Sequence, residues 1–259
     1  MSSMIKQRFN PQVYDDFVVR GNTAVLRCHL PTFVKEYVSV DSWIRNDDYV
    51  LKMTDTRIRS YTVLYSGELL IHETQEKDAE WSYRCQTRHR LTGEMVVSVS
   101  AGKITVTEPH ASTLPRVTFN QAQVRAEEGS PVQLPCVAQG NPPPTYRWMK
   151  DENGGLSPVK EDGRVWMVQG TLNIRKVVQK DAGKYQCIVR NSIGERRIES
   201  ALIVTAPLQV TLLPPHQVLN TGQEATFTCN VTGYPVHTIS WKKDQRTIVA
   251  SKKESIMGS

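Results

Sequence analysis

Tyr185-Gln186-Cys187 closes a pattern that opens at Cys136 and passes through Trp148. Its Trp stands 12 residues after the first Cys, its second Cys 51 residues after, and its Tyr two residues before that second Cys. The pattern recurs. Cys28 leads to Trp43, Tyr83 and Cys85 over a span of 57 residues, and a third copy runs from Cys229 to Trp241, again 12 residues on. One such gap arises by chance, whereas three copies with a Trp 12 to 15 residues after the first Cys mark an internal repeat.

Around these landmarks the chain reads as strands. Val132, Leu134 and Cys136 share one side of an extended segment, and so do Tyr185, Cys187 and Val189. Turn signals follow the second Cys of each complete copy, at Leu91-Thr92-Gly93-Glu94 and Asn191-Ser192-Ile193-Gly194. A Cys…Trp…Tyr-x-Cys word on such strands is the pattern of an immunoglobulin sandwich. Two inward-pointing Cys from sheets about 10 Å apart can bridge the core, with the Trp packed on the bridge. Cys28 is thus expected to pair with Cys85 and Cys136 with Cys187, each closed loop contributing about 4 kcal/mol. Cys229 is expected to stay an unpaired thiol, because the sequence stops about 18 residues after Trp241 and supplies no partner strand.

The fold class is therefore all-β, a row of tandem sandwiches over 9–108 and 115–205 with an incomplete third over 208–259, whose stretch from Gln245 to Ser259 is expected to be disordered. Residues 1–8 read as a leader without the apolar core of a secretory signal. Hydrophobic residues make up 39% and charged residues 22% of the 259, which is globular composition and excludes a disordered or collagenous chain. The longest apolar runs, such as Ala201 to Thr205, are strand-sized and far below the roughly 18 residues of a membrane span. The net charge of +6 is spread over the whole length with no basic stripe, which argues against nucleic acid as a partner. Arg88-His89-Arg90 places only two charges on one strand face, a poor site for a polyanion. No nucleophile elbow, zinc-protease helix, phosphate loop or Cys-x-x-Cys occurs, and the six His have no ligand spacing; no catalytic, cofactor or metal residues are assigned. Staples of this kind need an oxidising compartment, which points to the cell exterior.

The middle copy resembles an I-set immunoglobulin domain of the cell-adhesion type, through Gly140-Asn141-Pro142-Pro143-Pro144 before Trp148, Gly170-Thr171-Leu172-Asn173-Ile174, and Asp181-Ala182-Gly183-Lys184-Tyr185-Gln186-Cys187. That resemblance implies an ion pair between Asp181 and Arg164 at the bottom of the domain. The first copy departs from it: its Asp sits one place early, at Asp78, in Asp78-Ala79-Glu80-Trp81-Ser82-Tyr83-Arg84-Cys85. With Val19 to Cys28, Leu30-Pro31-Thr32-Phe33-Val34, Thr87 to Glu94 and Val204-Thr205-Ala206-Pro207, the chain resembles the second to fourth immunoglobulin domains of the arthropod Dscam (Down syndrome cell adhesion molecule) family.

That resemblance implies a neuronal and immune surface receptor, alternatively spliced, whose isoforms bind identical copies of themselves through the opening strands of two domains. Here those strands match Arg8, Phe9, Asn10, Pro11, Gln12, Val13, Tyr14, Asp15 and Asp16 in the first copy, and Gln121, Gln123 and Arg125 in the second, with a homodimer as the assembly. In an antiparallel self-pairing centred near Pro11–Gln12, Arg8 faces Asp15 or Asp16 of the second copy, while Phe9, Val13 and Tyr14 supply burial. In the middle copy, alternation puts Gln121, Gln123 and Arg125 outward and Ala122 and Val124 on the core side. Asn230-Val231-Thr232 is a glycosylation sequon with Asn230 pointing away from the core. The joints, Glu108 to Pro115 and Ala206-Pro207, are short and limit domain angles. Two other readings stand beside self-recognition: a guidance-type receptor for a different ligand, and an intracellular muscle-type array, against which the intact Cys pairs argue.

Overall fold

Pairs of inward side chains two residues apart build each core. In the computed structural model, which describes residues 9–53, 60–152 and 154–248, the N-terminal sandwich begins with β1 (Gln12–Val13), β2 (Asp16–Val19), β3 (Ala24–Leu26), β4 (Cys28–His29), β5 (Val38–Arg45) and β6 (Val50–Lys52). It continues through β7 (Tyr61–Val63), β8 (Leu69–Ile71), β9 (Ser82–His89), β10 (Met95–Val97) and β11 (Gly102–Thr107). One sheet has the order β2-β11-β9-β5-β6 with β10 on β9; opposite it lie β3-β8-β7 and the pair β1-β4. β2 runs parallel to β11, and the other pairings are antiparallel. Trp43 and Tyr83 are fully buried between the sheets, and Cys28 is bonded to Cys85 with a Cα separation of 5.8 Å.

The middle sandwich repeats this plan with β12 (Thr113–Asn120), β13 (Gln123–Glu127), β14 (Val132–Leu134), β15 (Cys136–Asn141), β16 (Thr145–Glu152), β17 (Gly155–Pro158), β18 (Val165–Val168), β19 (Thr171–Ile174), β20 (Gly183–Arg190) and β21 (Glu195–Leu213). Its sheets are β13-β21-β20-β16-β17 and β14-β19-β18, with β12 beside β15. Cys136 is bonded to Cys187, and Trp148 packs in the same core. The two Trp are anchored alike: the Trp43 indole donates to the Gly67 carbonyl and that of Trp148 to the Gly170 carbonyl. Gly170 has no room for a side chain, since a Cβ there would lie 1.8 Å from the Cys136 carbonyl oxygen.

The bottoms of the two sandwiches differ, as the early Asp78 foreshadowed. In the middle one Arg164 donates two bonds to Asp181, at 2.6 and 3.0 Å, and the Tyr185 hydroxyl donates to the Asp181 carbonyl at 2.7 Å. Burial pushes the Asp181 carboxyl up, but Arg164 and the Val178 amide outweigh it and hold the group below its ordinary value. In the N-terminal sandwich Asp78 accepts the Gln75 amide, Tyr83 meets the Tyr61 hydroxyl, and Arg45 lies 4.2 Å over Trp81.

Strand β21 corrects the expected second joint. Ala206 and Pro207 do not separate two strands; they lie inside one 19-residue strand that pairs with β20 through its first half and with β22 (Thr228–Tyr234) through its second. Cys229 on β22 is free and half-buried. In the described part of the stretch that begins at Gln245, β23 (Lys242–Lys243) and β24 (Arg246–Thr247) form a hairpin turning at Asp244 and Gln245, both at positive φ. The rest of that stretch, 249–259, lies outside the described residues, as does Arg8.

Between the two complete sandwiches lies a second, smaller core. In β3, Ala24 and Leu26 face inward while Val25 faces out; in β8, Leu70 faces out between Leu69 and Ile71; in β15, Val137 faces out between Cys136 and Ala138. These outward residues are buried together with Leu64, against Phe119. Polar contacts ring them. Asn22, itself buried, donates to the Gly140 carbonyl at 3.0 Å and accepts the Gly140 amide at 2.9 Å. Arg27 donates to the Thr118 carbonyl and lies 5.2 Å from the Phe119 ring. The sandwiches thus pack flank to flank through side chains that strand alternation alone assigns to solvent.

Candidate recognition surface

The segment expected to be one recognition strand in the first copy is divided between two sheets. Gln12 and Val13 pair with His29 and Cys28; the chain then crosses, and from Asp16 it runs beside Ile104 to Thr107. Gly102 makes the crossing possible, because a Cβ there would stand 2.8 Å from the Tyr14 carbonyl oxygen. Ser100 clasps the turn by accepting the Val13 amide and donating to the Val13 carbonyl. Pro11 is buried and its carbonyl accepts the Val99 amide. Val13 belongs to the core of its own sandwich, so the burial expected from it on a second copy is already used. The acids are engaged too: Asp15 accepts the Lys103 amide and Asp16 the Val25 amide, at 2.8 and 2.9 Å. Phe9 is half-buried, while Asn10, Gln12, Tyr14 and Phe17 are exposed; Tyr14 is 58% exposed, its hydroxyl on Gln12 and its ring edge on His29.

The outer edge of β2 is covered. Phe17 and Val19 turn their free carbonyl and amide away from β11, and the Gln139 carboxamide of the middle sandwich meets both, donating to the Phe17 carbonyl and accepting the Val19 amide at 3.0 Å each. One amide side chain thus takes the place of a neighbouring strand at an edge that would otherwise stay open.

Among the described residues nothing bonds to the outer edge of the equivalent strand, β13, at Gln123 and Arg125. Gln121 and Ala122 form a bend before the strand, their carbonyls taken by the Ser200 hydroxyl and the Ala201 amide. Ala122 is exposed in that bend; the expectation that it faces the core fails because alternation starts only at Gln123. From there Gln123, Arg125 and Glu127 are exposed, and Val124 and Ala126 are half-buried. The Ala122 and Ala126 carbonyls and the Glu128 amide all face β21. Alternation then leaves the amides and carbonyls of Gln123 and Arg125 and the Glu127 amide pointing outward, while the Glu127 carbonyl is taken by the Ser130 amide and hydroxyl.

Sequence reading missed Gln139, Asn22 and the Val25–Leu70–Val137 contact. The available signal was an interruption of alternation: Ala24-Val25-Leu26, Leu69-Leu70-Ile71 and Cys136-Val137-Ala138 have no polar residue at the centre. Among the described residues no group of three or more His, Cys, Asp or Glu gathers as a metal site, and no helix is long and apolar enough to cross a membrane.

Comparison with known proteins matches this architecture. An immunoglobulin domain family model matches residues 115–191 and 209–258. The cell adhesion molecule Dscam1 of Drosophila melanogaster is 39% identical over 249 residues, and human DSCAM is 32% identical over 258. The alignments cover 95% and 100% of this chain, which spans only 12% of either relative. The N-terminal four Ig domains of Dscam1 isoform 4.44 superpose with a TM-score of 0.88 at 39% identity, over 96% of this chain and 67% of that one. A structure described as the structural basis for Dscam isoform specificity matches with a TM-score of 0.88 at 40% identity, over 95% of this chain and 64% of that one. With the repeat, the paired sheets and two stapled cores agreeing along nearly its whole length, the chain belongs to the Dscam family of cell adhesion molecules.

Proposed function

We propose that the chain is the self-recognition part of a cell-surface adhesion receptor, corresponding to the second to fourth immunoglobulin domains of its relatives, and that it serves neuronal wiring or innate immunity. Two copies join antiparallel, the open edge of β13 forming the main contact and the exposed side chains around Gln12, Tyr14 and Asp15 a second. The observation that carries this reading is the pair of residues, Gln123 and Arg125, whose amides and carbonyls alternation turns outward, beside a sister edge that is covered. Strand addition uses such groups for affinity and alternate side chains for selectivity. A structure of relatives described in terms of isoform specificity supports it. The two disulfides fit an oxidising exterior. Exposed Asn230 on β22 is the proposed glycan attachment point.

Light scattering after size exclusion of the oxidised chain tests the reading. A homodimer that Gln123→Pro abolishes supports it; a monomer at all concentrations, or a dimer indifferent to Gln123→Pro, overturns it and favours a receptor for a different ligand.

A further inference from the structure

Beside the open edge of β13 runs a groove of about 230 Å³ whose two walls come from different sandwiches. Val124, Pro131, Val132 and Pro135 line the side belonging to the middle sandwich; Leu64 and Tyr65, on the turn between β7 and β8, line the other. The turn is pinned in place, since the Tyr65 amide donates to the Gln133 side chain at 2.8 Å and Leu64 is buried in the inter-sandwich core. The Tyr65 side chain is nevertheless 46% exposed. The N-terminal sandwich therefore reaches the edge that the middle one presents.

Resting on the self-pairing proposed above, we infer that Tyr65 determines the selectivity of that pairing by walling the groove that receives Val124 of a second copy. Backbone groups of Gln123 and Arg125, with the Glu127 amide, face outward on both strands, so odd residues pair with odd and even with even, and even side chains of the second copy lie on the groove side. Three registers put a residue from the middle of β13, 124 to 126, on the two-fold axis. With Arg125 on the two-fold axis, arginine opposes arginine, which is unfavourable. With Ala126 on the axis, Arg125 faces Glu127 twice, an exposed ion pair of small worth, but Glu128 of the second copy stands opposite Val124 and its carboxylate is set over an apolar groove. With Val124 on the axis, Gln123 faces Arg125 twice by symmetry and the two Val124 side chains meet above the grooves. The third register is the one the chemistry selects.

Equilibrium sedimentation of the oxidised full chain and its variants tests this. Tyr65→Ala is expected to weaken the dimer about tenfold, as truncating an aromatic anchor does; Tyr65→Phe, which keeps the wall, is expected to match the parent. Val124→Cys is expected to form an intermolecular disulfide on oxidation where Ala126→Cys does not, because only residue 124 meets its own copy on the axis. If Arg125→Pro abolishes the dimer while Tyr65→Ala binds like the parent, the role of Tyr65 is overturned and the pairing reading stands. If the dimer survives Arg125→Pro unchanged, both fall.

Discussion

Strands β2 and β13 hold the same place in successive sandwiches, each parallel to the last long strand of its own unit, yet one edge is covered by Gln139 and the other, among the described residues, is bare at Gln123 and Arg125. The difference does not come from the strands. It comes from the flank-to-flank packing, which brings β15 against the N-terminal sandwich while leaving β13 with only a turn beside it. An edge strand is a template for any compatible strand, so covering one and baring the other turns two possible pairing sites into one with a defined position. Equivalent sequence positions therefore need not carry equivalent functions.

The comparison breaks most completely if the sandwiches come apart. Val137→Asp places an unpaired carboxylate in the inter-sandwich core and is expected to cost about 4 kcal/mol, seen as a larger radius of gyration in X-ray scattering with both disulfides intact. An unchanged radius would show that the flank contact is incidental.

Acid offers a test confined to one side. His72 is buried in the N-terminal sandwich between the hydroxyls of Thr23 and Thr62, and burial drives its pKa down from 6.5 to about 4. The unfolded chain takes up a proton below pH 6.5 that the folded one refuses until about pH 4, so stability present above pH 6.5 is lost across that window, by about 3 kcal/mol. The N-terminal sandwich is expected to unfold first on acidification, followed by Trp fluorescence, and His72→Gln is expected to flatten the dependence. Simultaneous loss of both sandwiches in that variant and its parent alike would count against it.

Smaller changes sharpen the picture. Asn22→Ala leaves the Gly140 amide and carbonyl without their partners and is expected to cost about 2 kcal/mol in urea unfolding. Gln139→Ala is expected to cost only about 1 kcal/mol, yet to uncover β2: faster hydrogen exchange at the Val19 amide and a second, less selective mode of self-association are the expected signs. Exchange at Val19 unchanged from the parent would mean that the carboxamide does not cover the edge.

The repeat, the staples and the Trp positions were legible because each is fixed by covalent reach or by a large side chain that fits one place. Both staples join the Cys expected of them, and Arg164 meets Asp181. The recognition segments were legible only as segments. Where the chain crosses between sheets at Tyr14–Asp15, or bends at Gln121–Ala122, depends on contacts with Ser100, Gly102 and Ser200 far along the sequence. Gln139 left no trace at all, since a polar residue on the outer face of a strand is what solvent exposure also predicts.

Strand β21 gives the molecule a mechanical character. It spans about 60 Å as a single extended ribbon, and β20 and β22 grip its two halves. Tension drawn along the chain would load those ladders in shear, many hydrogen bonds at once, rather than unzip them singly. The middle and third units would then yield as one element, and the more compliant point of this stretch would be the short bend between residues 108 and 112 where the first two sandwiches fold together.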